Sequence, residues 1–305
     1  MMPKRRLRPR IRQPERKKMT LCIAAVCDHV KGNDSKIVMC VDMQREQEGI
    51  GSSETEDKLS YVRKGWPTLC AGTISRSNEL VEVYADYLSK HFGQIDEFNL
   101  IDHLREPVHI QKKKLVEEYL RQNYTFDWKY FYGDGLKILP DTFITKVGYE
   151  IQKIKLDASL IICGFLPQTS YENGEIFQSP FLGLVDVQED LISDQEYPRI
   201  LDDFAATGSG GPTALSSLYR REQSPDDSLE RTLYNVYEAN LLSEEVPGVG
   251  KRYIGIYVLD EKGAMSEMTD AGYKNLKRLY AKYGPHQIKK DESLKLEDSF
   301  FEPIS

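Results

Sequence analysis

Histidine and cysteine, the residue types that most often catalyse reactions or bind metals, each occur five times in the chain. The histidines show neither HxxxH nor HExxH spacing, so no zinc motif is present. The cysteines include no CxxC pair and each lies in an apolar run, which is typical of buried free thiols in a reducing compartment. We therefore expect neither a metal nor a cofactor. The residues are His29, His91, His103, His109 and His286, and Cys22, Cys27, Cys40, Cys70 and Cys163.

The glycine-rich segment GSGG at 208–211 lacks the Lys-Ser/Thr pair of a phosphate-binding loop, so we interpret it as a tight turn between a strand and a helix. Three further polar residues, each considered alone, have common structural roles and indicate no chemistry. Thr20 is a threonine at a strand start, Asp42 a turn-forming aspartate and Lys58 a solvated lysine. No single residue therefore indicates a reaction.

The charge of the chain is unevenly distributed. The chain has 41 Lys/Arg and 48 Asp/Glu residues, and nine of the basic residues but only one acidic residue lie within residues 1–18. The remainder therefore has 32 basic and 47 acidic residues, a net charge of −15. An acidic body does not suit a nucleic-acid-binding domain. No apolar run is long enough to span a membrane, and no signal-peptide pattern follows the basic start. We expect a cytoplasmic protein whose residues 1–19 are a disordered basic tail or a propeptide.

The first ninety residues predict strands in quick succession and then a helix. Apolar runs predict four strands, of which the first two form a hairpin; they cover 20–27, 36–44, 58–62 and 66–72. Apolar residues at helical spacing predict a helix over 75–92, with Ser75 or Ser77 as its N-cap.

The rest of the chain predicts a second set of strands and helices. VHIQKKKLVEEYLRQ predicts a helix, whereas TFITKVGYEIQKIK fits either a strand or a helix. The almost wholly apolar run at 158–166 predicts a strand buried on both faces. A strand-to-helix turn at 204–211, a helix over 224–245 and a strand within 251–263 follow. This order predicts two sheets with helices outside them, an α+β layered domain.

In this order, TLCIAAV, KIVMCVDMQ, DKLSYV and LCAGTISRSNELVEVYADYL resemble the front half of a proteasome β-subunit, and ASLIICGFLPQ, FAATGSGG and RYIGIYVLDEKG resemble its back half. The resemblance is to the N-terminal-nucleophile (Ntn) hydrolases. It covers residues 20–263 and is interrupted by divergent sequence near 93–155. It implies an α+β fold, a four-layer α-β-β-α sandwich, over 20–263. Residues 264–305 lie outside the resemblance, and their own composition predicts a C-terminal helix at KNLKRLYAKYG and an acidic tail.

The resemblance also implies an active site. Thr20 stands where the family has its nucleophile, which its own α-amine activates once it is the first residue. Lys58 stands at the lysine that lowers the pKa of that amine, and Asp42 at the carboxylate that holds the lysine. Gly72 matches the glycine whose backbone N–H stabilises the oxyanion, and Ser209 matches a serine that supports the terminal amine.

By the same alignment, the specificity pocket involves Arg45, Cys70 and Ile74. The sequence also departs from the family. Gln44 and Glu46 stand where the family usually has Arg and Thr. The second family aspartate has no clean match, which leaves Glu244 or Glu245 to take its role.

These features predict a threonine-type peptidase or amide hydrolase. Met19 directly precedes Thr20, which fits translation from Met19 and removal of the methionine. One alternative is a non-catalytic subunit that serves assembly or binding, which an unprocessed extension would favour. The joint retention of Thr20, Asp42 and Lys58 argues against it. Another alternative is a cysteine-nucleophile amidase using Cys22, for which no cleavage signal is present.

The partners follow from the resemblance as well. It implies a peptide or protein substrate, a homo-oligomeric ring, and an ATPase or regulatory partner. Neither a membrane nor a nucleic acid is expected as a partner.

Overall fold

The structure of the protein, a computed structural model, describes residues 21–29, 34–42, 58–169, 174, 176–186, 198–245, 254–284 and 301–303. Its strands are β1 (Leu21–Cys27), β2 (Lys36–Asp42), β3 (Leu59–Arg63), β4 (Trp66–Gly72), β5 (Ala158–Thr169), β6 (Ile176–Asp186), β7 (Arg199–Leu201), β8 (Phe204–Gly208), β9 (Ile254–Asp260), β10 (Met265–Met268) and β11 (Phe301–Pro303). Its helices are α1 (Ile74–His91), α2 (Leu100–Tyr124), α3 (Trp128–Tyr130), α4 (Leu136–Ile138), α5 (Asp141–Gln152), α6 (Gly211–Arg220), α7 (Leu229–Ser243) and α8 (Asp270–Tyr283).

The described strands form two antiparallel sheets. The six-stranded sheet has the order β11-β10-β9-β2-β1-β8, and the five-stranded sheet has the order β3-β4-β5-β6-β7. The predicted hairpin at the start of the chain is confirmed, because β1 and β2 pair antiparallel with Cys22 opposite Val41. β4 lies where the sequence predicted it, at 66–72.

The apolar runs are unbroken because the central strands are buried on both faces. In β1, Cys22 and Ala24 pack in the core between the two sheets, whereas Leu21 and Ile23 pack in the core under α6 and α7. β5 is also buried on both faces, because its first nine residues are all buried, as the sequence predicted. Alternation along each strand therefore places side chains in two different cores.

Helices cover the outer face of each sheet. α6 and α7 pack against β1, with α6 also on β8 and α7 also on β2. α1 packs on β3, β4 and β5, and α2 packs on α1 and β6. The core under α1 is built around Leu80, Tyr84 and Leu88, which follow one helical face.

The segment between α1 and β5 forms a helical insert with its own small core. The insert consists of α2 to α5, and a π-helical turn at Phe131–Gly135 joins α3 to α4. Leu120, Phe131 and Val147 are fully or almost fully buried in this core. The run that fitted either a strand or a helix is helical and includes most of α5.

Three predicted boundaries differ from the structure. α1 begins after Thr73 as N-cap, not at Ser75 or Ser77. α7 begins at Leu229 because the Ser228 hydroxyl caps it by accepting from Arg231 N, so residues 224–228 are not helical. The predicted domain boundary at 263 falls in the turn of a hairpin, since β10 pairs with β9. α8 then packs on α7.

Within the ranges that the structure describes, no helix is both long and apolar enough to cross a membrane.

Candidate active site

One end of the two sheets gathers the predicted site residues that the structure describes. Asp42 is the last residue of β2, and Gly72 is the last residue of β4. Lys58 directly precedes β3, and Ser209 directly follows β8. In the six-stranded sheet, Leu21 at the start of β1 pairs with Gly208 at the end of β8. Antiparallel pairing therefore brings strand ends that are distant in sequence to one edge.

The Asp42 carboxylate lies at the centre of this edge. It is fully buried, and its Oδ1 accepts a hydrogen bond of 3.0 Å from the backbone N–H of Leu21. The Lys58 ammonium contacts the same oxygen. A buried carboxylate is stable only with a counter-charge and hydrogen bonds, and Asp42 has both.

The backbone of Lys58 is held in place by the neighbouring strand. The N–H of Cys70 donates to the Lys58 carbonyl at 2.8 Å, which extends the β3–β4 ladder by one residue. The Lys58 side chain is only 10% exposed and reaches across the gap between the sheets. The ion pair therefore joins the end of β2 in one sheet to the start of β3 in the other.

Gly72 has a backbone conformation that only glycine adopts easily. Its φ is +99°, and a Cβ at this position would lie 2.6 Å from the carbonyl oxygen of Asp157. Thr73 fixes the next peptide, because its N–H donates to the Asp157 carbonyl at 2.9 Å and its hydroxyl donates to the Asp157 carboxylate. The geometry therefore explains why glycine stands at this position.

Ser209 lies in the turn between β8 and α6. Gly208, with a φ of +91°, precedes it, and the Gly210 carbonyl after it accepts a hydrogen bond of 3.2 Å from Ser243 Oγ. The end of α7 is thereby tied to this turn. The glycine-rich segment is thus a strand-to-helix turn, as the sequence predicted.

Of the two candidates for the second family aspartate, Glu244 is the better placed. It is half-buried at the end of α7, and its carboxylate accepts from Asn240 Nδ2 at 3.3 Å. Asn240 in turn lies 3.8 Å from Cys40 Sγ on β2. Glu245 is exposed.

Cys22 is unsuited to act as a nucleophile. It is fully buried between the sheets, and its thiol donates to the Cys70 carbonyl at 3.3 Å. Burial raises the pKa of the thiol well above its usual value, and the nearby Asp42 raises it further, although Lys58 acts in the opposite direction. Because the thiolate is the reactive form, this environment argues against the cysteine-amidase alternative.

The expected substrate-binding residues are only partly described. The Cys70 side chain is 7% exposed and packs in the core under α1, and burial raises the pKa of its thiol to about 12. Ile74 begins α1. Thr20 and Arg45 lie outside the described residues, as do Met19, Gln44 and Glu46.

The sequence did not single out Asp157 and Thr73, which fix the backbone around Gly72. Asp157 has a φ of +50° and directly precedes β5. An aspartate before an apolar strand is a weak signal for a residue of positive φ. Nothing in the sequence connects it to Thr73, 84 positions earlier.

These groups form a compact polar edge on two apolar sheets. It contains a buried ion pair, a glycine with a special conformation and a turn tied to a helix end. Within the described parts of the chain, no group of three or more His, Cys, Asp or Glu could hold a metal ion. The charged groups described at this edge are the Lys58 ammonium and the Asp42 carboxylate, and backbone N–H groups lie beside them. No model of a known protein family matches the chain, and no curated protein sequence matches it significantly.

Proposed function

We propose that the chain is a threonine-type hydrolase of amide bonds, with the α-β-β-α fold of the Ntn hydrolases and Thr20 as its nucleophile. The observation that carries the proposal is the shared use of Asp42 Oδ1. This oxygen accepts from Leu21 N at 3.0 Å and contacts the Lys58 ammonium. Leu21 N is the atom to which the carbonyl carbon of Thr20 is bonded.

Covalent geometry limits the distance between the reacting groups and this ion pair. In a chain that begins at Thr20, two carbon atoms separate the α-amine from Leu21 N, so the two nitrogens lie within about 4 Å of each other. The amine is thus close to the Asp42–Lys58 pair. A nearby ammonium disfavours a second positive charge and lowers the pKa of the amine from its ordinary value near 8.

A neutral amine can then act as a general base. It takes the proton of the Thr20 hydroxyl as the oxygen attacks the amide carbonyl of the substrate. The amine returns that proton to the leaving nitrogen, and an acyl-enzyme ester remains on Thr20. A water molecule, deprotonated by the same amine, hydrolyses the ester and releases the acid product.

The oxyanion formed in each step needs a hydrogen-bond donor. The N–H of Gly72 is the donor that we propose, because β4 ends beside Lys58 at the same edge. A single donor of this kind contributes about 3 kcal/mol of transition-state stabilisation. Ser209 stands in the turn after β8, beside Leu21, and the end of α7 that carries Glu244 is tied to this turn through Ser243.

Covalent labelling tests the proposal. A β-lactone acylates an activated hydroxyl, so the native protein should take up one label, on Thr20. Thr20→Ala should lose the label completely, whereas Thr20→Ser should keep some reactivity, since serine has both the hydroxyl and the amine. Labelling that survives Thr20→Ala would contradict the proposal. A folded native chain that no electrophile labels would favour a non-catalytic subunit.

Assembly into a homo-oligomeric ring belongs to the proposal but depends on the resemblance alone. The two sheets already cover each other, so the buried faces of β1 and β5 need no second subunit. Light scattering at micromolar concentration is expected to give the mass of several subunits. A monomer mass would contradict this part of the proposal, and a peptide substrate and an ATPase or regulatory partner would then need separate support.

A further inference from the structure

Ser77 in the first turns of α1 makes an unusual hydrogen bond. Serine hydroxyls inside helices commonly donate to the carbonyl four residues earlier. The Ser77 hydroxyl instead donates to the carbonyl of Ala71, six residues earlier, at 3.0 Å. Ser77 is only 2% exposed, and its own N–H already donates to the Thr73 carbonyl at 2.9 Å. The side chain therefore reaches past the helix cap to the end of β4.

The carbonyl that Ser77 holds belongs to the peptide group that carries the Gly72 N–H. In a trans peptide, the C=O and N–H point in opposite directions. Fixing the Ala71 carbonyl towards α1 thus fixes the direction of the Gly72 N–H on the opposite side. The hydroxyl therefore restrains the orientation of the whole peptide, together with the pairing of Ala71 with Ser159 on β5.

The hydrogen bonds of β4 to its two neighbouring strands indicate the same direction for the Gly72 N–H. Cys70 N–H donates to the Lys58 carbonyl on one side of β4, whereas Thr73 N–H donates to the Asp157 carbonyl on the other side. In a strand, N–H groups two residues apart point to the same side. The Gly72 N–H therefore points to the side of β4 on which Lys58 lies.

This orientation needs a support because Gly72 is flexible. Glycine tolerates both signs of φ, so a peptide that precedes it can rotate at low steric cost. Gly72 already has a φ of +99°. The pairing of β4 with β5 ends at Gly72, opposite Ala158, and the Ser77 hydroxyl adds a hydrogen bond at this strand end that opposes a rotation of the Ala71–Gly72 peptide.

We infer that Ser77 is a positioning residue, which holds the Ala71–Gly72 peptide so that the Gly72 N–H faces the Lys58 side and can receive the oxyanion. The inference rests on the proposed function. In this inference Ser77 acts only through the peptide of Gly72 and is not itself a catalytic residue.

Two electrophiles separate this role from general damage to the fold. A β-lactone acylates through a carbonyl oxyanion, whereas a peptide vinyl sulfone adds to the nucleophile without forming one. In Ser77→Ala, the second-order rate of β-lactone labelling should fall by about tenfold to a hundredfold, since a misdirected donor is nearly a lost one. The vinyl sulfone rate should stay within about twofold of the native rate.

Ser77→Thr keeps the hydroxyl and should restore most of the β-lactone rate. The matched control is Ser89→Ala, in the last turns of the same helix, where the exposed serine only donates to the Asp86 carbonyl at 2.8 Å. Its rates should equal those of the native protein. An undiminished β-lactone rate in Ser77→Ala, or an equal loss with both electrophiles, would overturn the inference.

Crystal structures of the native protein and Ser77→Ala decide the point even without activity. The Ala71–Gly72 peptide is expected to rotate in the variant and to stay in place in Ser77→Thr. An unrotated peptide would overturn the positioning role. A native chain that neither electrophile labels on Thr20 would instead overturn the proposed function, so the two failures are distinguishable.

Discussion

At the scale of single residues, the site depends on how Asp42 and Lys58 compensate each other. A fully buried carboxylate and an almost buried ammonium are each costly to desolvate, and together they are tolerated. The pair lies beside Leu21 N at the start of β1, which is the position that the proposed function requires.

The variant Lys58→Ala tests the proposed role of the Asp42–Lys58 ion pair. We expect turnover, or labelling by a β-lactone, to fall by about 10²–10⁴-fold, as for the loss of base activation. The free energy of unfolding should fall by about 3 kcal/mol, because the carboxylate loses its partner. Rates and urea denaturation measure the two effects.

Lys36→Ala is the matched control for that experiment. Lys36 lies at the opposite end of β2 and pairs with Asp28 at 3.6 Å, but both side chains are partly exposed. Its loss should cost less than about 1 kcal/mol and leave the rate unchanged. Equal losses of activity in both variants would contradict a specific role for Lys58.

Gly72→Ala should destabilise the protein by about 1–3 kcal/mol, because the new Cβ meets a backbone oxygen and the residue keeps a positive φ. Gly148→Ala provides the control. Gly148 lies inside α5 with open space around its Cβ position, so alanine should stabilise the protein by up to about 1 kcal/mol. Urea denaturation compares the two, and the same sign in both would refute the account of Gly72.

The residues of the site were predictable to different degrees. Asp42, Lys58 and Gly72 were predicted as site residues only because their order along the chain resembles that of a known family. Ser77 was singled out as a helix cap, but its hydroxyl donates to Ala71 instead. A hydrogen bond between a helix and a preceding strand end depends on tertiary geometry that sequence spacing does not encode.

At the scale of elements, the α6–α7 pair positions the turn that carries Ser209. A buried bidentate ion pair joins the two helices, with Arg221 Nε 3.0 Å from Glu238 Oε1 and the second guanidinium nitrogen in contact with Oε2. Both side chains lie below 10% exposure. The pair fixes the C-terminal end of α6 against the second half of α7.

Arg221→Leu should lower the free energy of unfolding by about 3–5 kcal/mol, because Glu238 is left buried without its counter-charge. Arg121→Leu serves as the control. Arg121 pairs with Glu117 at 2.7 Å on the exposed face of α2, where such a pair contributes about 0.5 kcal/mol or less. Thermal or urea denaturation measures both, and a loss below 1 kcal/mol in Arg221→Leu would contradict this account.

The elements with continuous apolar runs were the ones that sequence predicted best. β1, β2, β4 and β5 are buried on both faces, so their composition alone identifies them. β10 was missed because it has only four residues, two of them polar, and it is defined by pairing with β9. Short edge strands depend on their neighbours more than on their own residues.

At the scale of the whole molecule, five buried thiols are distributed over both sheets. Burial raises the pKa of each above its ordinary value near 9, and of Cys70 to about 12. The folded protein therefore keeps thiols protonated at a pH where the unfolded chain releases the protons.

Stability should be almost fully present at about pH 8 and fall as the pH rises through about 9, the ordinary pKa of the thiols in the unfolded chain. Each thiol contributes a loss of about 1.4 kcal/mol between pH 8 and 10, and the five together about 7 kcal/mol. Urea denaturation under reducing conditions at these pH values measures the loss. Cys163→Val should reduce the pH dependence by roughly one fifth, and a stability that is constant from pH 8 to 10 would contradict the prediction.

The central claim is that Thr20 is the first residue of the active protein and its nucleophile. Peptide-resolved mass spectrometry of the native purified protein, before and after treatment with a β-lactone, tests it most directly. The account predicts an N-terminal peptide that starts at Thr20 with a free amine, and a single lactone adduct on that residue. An active preparation that begins at Met1, or an adduct on any other residue, would contradict it.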